Sequence, residues 1–183
     1  MEILHIFEHI KERLLAVQYK SDCCDCFTLF FKRWSDVEYL EEFFEENKED
    51  LQSDFWGNVY SVEDAVIETL EESSKLKKYI LDVAENKAAK SLDEIFKPLS
   101  NIEPVKRQPS KVYGLGNPSW IRIYAIRLAP NIYIVTGGAL KLTGKMNERD
   151  HTKEELKKLN FVRDYLKEEG IDDGTDYGYI DFI

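Results

Sequence analysis

Between Trp120 and Val135 two apolar runs, Trp120–Leu128 and Ile132–Val135, are separated only by Ala129-Pro130-Asn131. Both runs are rich in β-branched and aromatic residues, and a connection this short joins neighbours that pair antiparallel. The stretch therefore predicts a β-ribbon. It carries Arg122 and Arg127, then continues through Gly137-Gly138, which predicts a bend or bulge before a further strand. Lys141-x-Thr143-x-Lys145 and Arg149 follow directly. Cations spaced along a ribbon and its exit loop can converge on one anionic group. In a chain of net charge -10 such a concentration needs a reason, and a phosphodiester is the first candidate.

The acidity is unevenly spread. Residues 1–105 hold 12 basic and 24 acidic side chains, residues 106–163 hold 12 and 4, and residues 164–183 hold 1 and 7. A basic block between acidic ones is either a nucleic-acid surface with self-screening arms or a fold laced by salt bridges. The sign changes where Pro98, Pro104 and Pro109 fall close together, which reads as a loop or linker. This is a seam within one domain, 1–183, between an N-terminal hairpin with acidic helices (1–105) and a β-rich core with a C-terminal helix (106–183). A chain of 183 residues, 43% hydrophobic, can fill one core. No run approaches the roughly 20 apolar residues of a membrane span. The start, MEILHIFEHIK, lacks a basic n-region, and three clustered cysteines make no disulfide framework, so the expected setting is the cytoplasm.

Elsewhere the periodicity changes. Glu2–Glu8 alternates loosely and Leu14–Tyr19 is rich in strand formers, which predicts a hairpin, with a short helix as the competing reading. Cys23–Trp34 and Asp36–Asn47 predict helices, the second with Val37, Leu40, Phe43 and Phe44 on one stripe and Ser35 or Asp36 as N-cap. Ser61 with Asp64 opens a long helical pattern whose stripe weakens at Ser73-Ser74. Lys111–Leu115 predicts a short strand. Thr152 with Glu155 reads as a capping box for a last helix that Gly170 closes.

Several groups invite chemical readings. Cys23, Cys24 and Cys26 with His5 and His9 pose a zinc question, but no other Cys exists and His5 and His9 would share a face only on a helix, so no metal is expected. Phe27, Phe30, Phe31 and Trp34 at helical spacing read as core, and the Glu38–Glu46 acids as a solvated face. Arg122, Arg127, Lys141, Lys145 and Arg149 form the main candidate site, with solvated charges paired to the acidic helices as the bland alternative. Cleavage of RNA through its own 2′-hydroxyl needs positive charge against the developing phosphorane and groups that move protons. Arginine offers a bidentate fork, and lysine a point charge or, with a depressed pKa, a base. Tyr113 and Tyr124 can stack on a base or donate a proton.

The series Ile121-Arg122-Ile123-Tyr124, Ile132-Tyr133-Ile134-Val135, Lys141-Leu142-Thr143-Gly144-Lys145, then the helix from Thr152, resembles the core of RelE/HigB-type toxins of bacterial toxin–antitoxin systems. The strand arginine and the loop lysine are a whole strand apart, so their joint match is more informative than either alone. The chain as a whole looks like a longer, phage-derived, helix-rich branch of the RelE/ParE superfamily. The resemblance implies an α+β fold, a small antiparallel sheet with helices packed on one side, with an enlarged helical N-terminal half. It implies a ribosome-dependent mRNA endoribonuclease that uses no cofactor and is neutralised by an antitoxin protein. Arg122, Lys141 and Lys145 would be catalytic, with Lys111, Tyr113, Tyr124, Arg127 and Arg149 as RNA contacts. The partners would be the antitoxin, the ribosome and mRNA, with neither membrane nor DNA. Gly137 stands where many HigB-like members carry His, Leu142 replaces a second Lys, and these toxins are usually basic. A non-catalytic interaction protein that keeps the toxin sheet as a binding scaffold is the other reading.

Overall fold

The structure, a computed structural model, describes residues 1–57, 60–99 and 107–171. Pro104 of the expected linker and the acidic stretch 172–183 lie outside these residues. The first hairpin forms because its polar tip can turn: Glu12 takes a positive φ of 56° and its N–H meets Glu8 Oε1 at 2.6 Å. β1 (Ile3–Ile10) and β2 (Leu14–Tyr19) then pair antiparallel. Asp25 caps α1 (Cys26–Arg33) by accepting from Thr28 N–H, and Asp36 caps α2 (Val37–Glu46) by accepting from Tyr39 N–H. A short helix, α3 (Lys48–Leu51), and a 3-10 turn, Asp54–Trp56, follow.

Ser61 caps α4 (Val62–Ala84) as the sequence predicts. Its weak middle has a purpose, since buried Ser73 donates to Trp34 O (3.2 Å), a carbonyl at the end of α1. α5 (Leu92–Ile95) leads into β3 (Lys97–Pro98), which pairs with β4 (Gln108–Tyr113). Pro98 and Pro109 are thus strand residues and not loop residues. Each sits where a missing N–H costs little, Pro98 on the outermost strand and Pro109 near the start of β4. β5 (Ile121–Ala129) and β6 (Ile132–Leu140) form the expected ribbon, turned at Asn131 with a φ of 58°.

The fold is α+β, with six strands in the order β1-β2-β6-β5-β4-β3. One pairing is parallel: Leu14, Leu15 and Ala16 of β2 lie beside Tyr133, Ile134 and Val135 of β6. The sheet is therefore mixed where sequence predicted an antiparallel one. With β1 on one edge, β2 has one edge left, and β6 occupies it. Every residue of β2 is buried, as expected of a strand covered on both faces.

β6 does not break at Gly137-Gly138, and among the described residues no further strand follows. The irregularity lies one residue earlier: Tyr124 opposes Gly137 while Ala125 opposes Val135, so Thr136 is an inserted bulge residue. Beyond it, Gly137 and Gly138 face opposite sides. A Cβ on Gly138 would come 2.8 Å from the Phe30 ring and 2.9 Å from Trp34, both of α1. A Cβ on Gly137 would strike the Glu155 carboxylate of α6 (Asp150–Glu168). Helices therefore cover both faces, not one. The α6 start also differs from expectation. Thr152 lies inside the helix, buried, donating to Met146 O (2.6 Å), and Glu155 packs on the sheet instead of capping. Gly170 closes α6 with a φ of 71°, with Ile171 N–H returning to Leu166 O (2.9 Å).

Gly138→Ala should destabilise the protein by about 1–3 kcal/mol, because the new methyl meets two rings packed in the core. A urea midpoint equal to that of the wild type would show that α1 can move away from β6.

Candidate functional site

Strand alternation and register assemble the site. Arg122 and Tyr124 share the α6 face of β5, Tyr113 opposes Arg122, and Lys111 opposes Tyr124. Ala139 opposes Arg122 from the other side, and Lys141 stands two residues further along the same face. The Arg122 guanidinium carbon lies 4.3 Å from the Tyr113 ring centroid, and Lys111 Nζ lies 5.0 Å from it. One exposed tyrosine thus carries two cations. Arg122 Nη1 donates to Ser119 O (2.8 Å) and Ile121 O (2.7 Å), and Lys141 Nζ donates to Thr143 O and Gly144 O, both at 2.6 Å. Among the described residues, Lys111, Arg122, Lys141 and Lys145 make no ion pair with a carboxylate.

The consequence is electrostatic. Burial lowers the Arg122 pKa. Burial, then the Arg122 charge and the Lys111 charge, lower that of Lys141. Carbonyl oxygens hold these cations in place without neutralising them, so an anion placed among them gains the full local field.

The loop beside Arg122 is held from the acidic half of the chain. Glu72, buried in α4, accepts from Gly116 N–H (2.5 Å) and from Ser119 Oγ (3.0 Å), and Ser119 Oγ accepts from Ile121 N–H (3.1 Å). A Cβ on Gly114 would fall 2.1 Å from Ser119 Oγ and 2.2 Å from Glu72 Oε1, which explains a glycine there. Next to this loop a cleft of about 410 Å³ opens, lined by Phe55, Trp56, Tyr113 and Arg122 among others. A larger cleft of about 590 Å³ lies between α1, α4 and the end of β1, and none of the site cations lines it.

Other sequence candidates lie elsewhere. Arg127 is five residues from Arg122 on a regular stretch of β5, hence on the opposite face. There it forks onto Asp93 (2.9 and 3.1 Å), which also accepts from Tyr133 Oη (2.8 Å). Burial pushes the Asp93 carboxyl up, and these bonds outweigh that and hold it low. Arg149 pairs with Asp50, its Nε at 2.6 Å, which ties the start of α6 to α3. Lys145 is exposed on the loop after β6. Tyr124 shares the site face but is buried, its hydroxyl unpartnered and its pKa raised by burial. His9 bonds Asp25 (2.9 Å) and Cys26 Sγ bonds Val135 O (3.2 Å). Among the described residues no three His, Cys, Asp or Glu side chains gather as a metal site, and no helix is long and apolar enough to cross a membrane. Phe27, Phe30, Phe31 and Trp34 are core.

Two contributors escaped sequence reasoning. Phe55 is 58% exposed at the cleft, yet in sequence nothing separates it from the core aromatics around it. Glu155 fills the space above Gly137, the position where the resemblance anticipated a histidine. Its Oε1 accepts from Lys158 (2.7 Å) while Oε2 has no partner. No family model, curated protein or solved structure matches the chain.

Burial raises the Glu155 pKa above its ordinary 4.5, against the opposing pull of Lys158. An acid whose pKa is higher folded than unfolded favours the fold while protonated. That contribution is full below the unfolded value and is lost as pH rises through the folded one. Wild-type stability should therefore decline as pH rises from about 4.5 through the raised Glu155 value. Glu155→Gln should flatten that segment of the stability–pH curve. Equal slopes in the two proteins would exclude Glu155 as its source.

Proposed function

We propose that this protein binds single-stranded RNA at the Lys111–Arg122–Lys141 cluster and cleaves it, as a toxin-like endoribonuclease acting on mRNA at the ribosome. The observation that carries the reading is the cluster itself, three same-face cations free of carboxylate partners in a chain of net charge -10. A phosphodiester is the anion whose transition state gains most from such an arrangement. Attack by the 2′-oxygen forms a new P–O bond, the P–O5′ bond breaks, and the phosphorane between them carries an extra negative charge. Arg122, fixed by two carbonyls and by Tyr113, faces that charge with its remaining donors. Lys141 has two N–H groups on loop carbonyls and one left for a phosphate oxygen. Lys111 adds charge from β4, and Lys145 extends the field along the loop.

Proton transfer falls to Tyr113, the exposed hydroxyl at the cluster, or to Lys141, whose lowered pKa brings its neutral form closer to reach. By this reading the protein works in the cytoplasm, needs no cofactor, and is restrained by an antitoxin that covers the cationic face. One observation favours the second reading, a binding scaffold without catalysis: among the described residues no carboxylate or imidazole forms part of the cluster, so none stands there ready as a base.

Arg122→Ala should lower ribosome-dependent mRNA cleavage by about two to three orders of magnitude, the usual cost of one oriented transition-state donor. It also removes two carbonyl hydrogen bonds, so Tm should fall modestly, and Arg122→Lys, which keeps charge but loses the fork, separates the effects. Lys141→Ala should act in the same direction, more mildly. The readouts are growth arrest on induction and cut mRNA in a translating extract. A harmless wild type that cuts nothing would leave the scaffold reading.

A further inference from the structure

The cleft beside Arg122 has the composition of a stacking site and not of a phosphate site. Phe55, 58% exposed, and Tyr113, 45% exposed, both line it, together with Trp56, Asn117, Arg122 and the Gly116–Ser119 loop. Trp56 is not free to move, since its Nε1 donates to Leu142 O (3.1 Å). Phe55 sits over the same loop: a Cβ on Gly144 would lie 3.9 Å from its ring, and Gly144 O accepts from Lys141 Nζ. The aromatic walls are therefore joined to both halves of the cation cluster, Tyr113 to Arg122 and Phe55 to the Lys141 loop. The floor, Gly116–Ser119, is held by Glu72. Among the described residues the Asn117 amide makes no hydrogen bond, which leaves a donor and an acceptor at the rim.

We infer that this cleft takes one unpaired nucleobase of the RNA, stacked on Phe55 beside the cation-covered Tyr113 with its edge toward Asn117, while the adjoining phosphate lies on Arg122 and Lys141. The inference rests on the RNA reading above and adds the part of the substrate next to the phosphate. A volume of about 410 Å³ holds one base and its sugar but not a duplex. Selection of single strands follows, because only an unpaired base can be splayed into such a slot.

The test uses the full chain and uncleavable probes: a 2′-O-methyl tetranucleotide and an abasic oligomer with the same number of phosphates. Affinity is read from tryptophan fluorescence, since Trp56 lines the cleft, and checked by calorimetry. The wild type should bind the base-bearing probe at least about tenfold more tightly than the abasic one, the range of one stacked base. Phe55→Ala should bring that ratio close to one, with Tm confirming that this exposed position leaves folding intact. Lys141→Ala should weaken both probes. Equal binding of the two probes by the wild type, with Lys141→Ala still weakening both, would overturn the base slot and leave the phosphate site standing. A Phe55→Ala protein with the wild-type ratio would also overturn it. Binding of neither probe would overturn the base slot and the RNA reading together.

Discussion

A single inserted residue decides which side of the sheet the loop cations reach. Without the Thr136 bulge, alternation along β6 would place Ala139 and Lys141 on the face of α1, away from Arg122. With it, they stand beside Arg122 and Lys111. The bulge is secured by groups that would otherwise be expensive to bury: Thr136 O accepts from Tyr19 Oη (2.7 Å), and Thr136 Oγ1 donates to Tyr124 O (3.3 Å). Tyr19 comes from β2, on the far side of β6. The N-terminal hairpin thus supports the geometry of a site to which it contributes no contact.

The acidic half has a comparable indirect role. Among the described residues its excess of carboxylates makes no ion pair with Lys111, Arg122 or Lys141, and three of its acids are held elsewhere. Glu72 is buried under the Gly116–Ser119 loop, Asp93 holds Arg127 on the opposite face, and Asp50 holds Arg149 at the start of α6. The two readings of the charge pattern were a nucleic-acid surface and a salt-bridged fold. The second describes Arg127 and Arg149, while the first is a proposal for the cations that, among the described residues, have no acid partner. Arg127 and Arg149 are structural, whereas Lys111, Arg122 and Lys141 carry unneutralised charge.

That partition was only partly legible in the sequence. Local signals read well: the Glu2–Tyr19 hairpin, the Asp36 and Ser61 caps, the β5–β6 ribbon and the Gly170 stop all depend on residues a few positions apart. Arrangements set by distant partners did not. The parallel β2–β6 pairing joins segments more than a hundred residues apart, and no turn chemistry announces it. Gly137-Gly138 pointed to a bulge but could not place it at Thr136, and the face of every later residue hangs on that one position. Thr152 and Glu155 fit a capping pattern, yet two earlier residues already belong to the helix and the carboxylate is drawn onto the sheet by the space above Gly137. Pro98 and Pro109 read as loop because their tolerance in a strand depends on which edge faces solvent. Within the site, Arg122 and Lys141 were visible as a pattern, but the Tyr113–Arg122 register that joins β4 to them was not.

The β2–β6 pairing also sets an order of events for the growing chain. β2 lies among the first twenty residues, and its partner begins only at Ile132. During synthesis the hairpin, α1 and α4 emerge with nothing to cover one edge and one face of β2, so the nascent chain carries a sticky strand until the ribbon appears. Chains truncated before Ile132 retain that strand without its cover. Until translation has passed the ribbon and the loop beyond it, the chain cannot bring Lys141 beside Arg122, so its charge pattern matures only once that loop has been made.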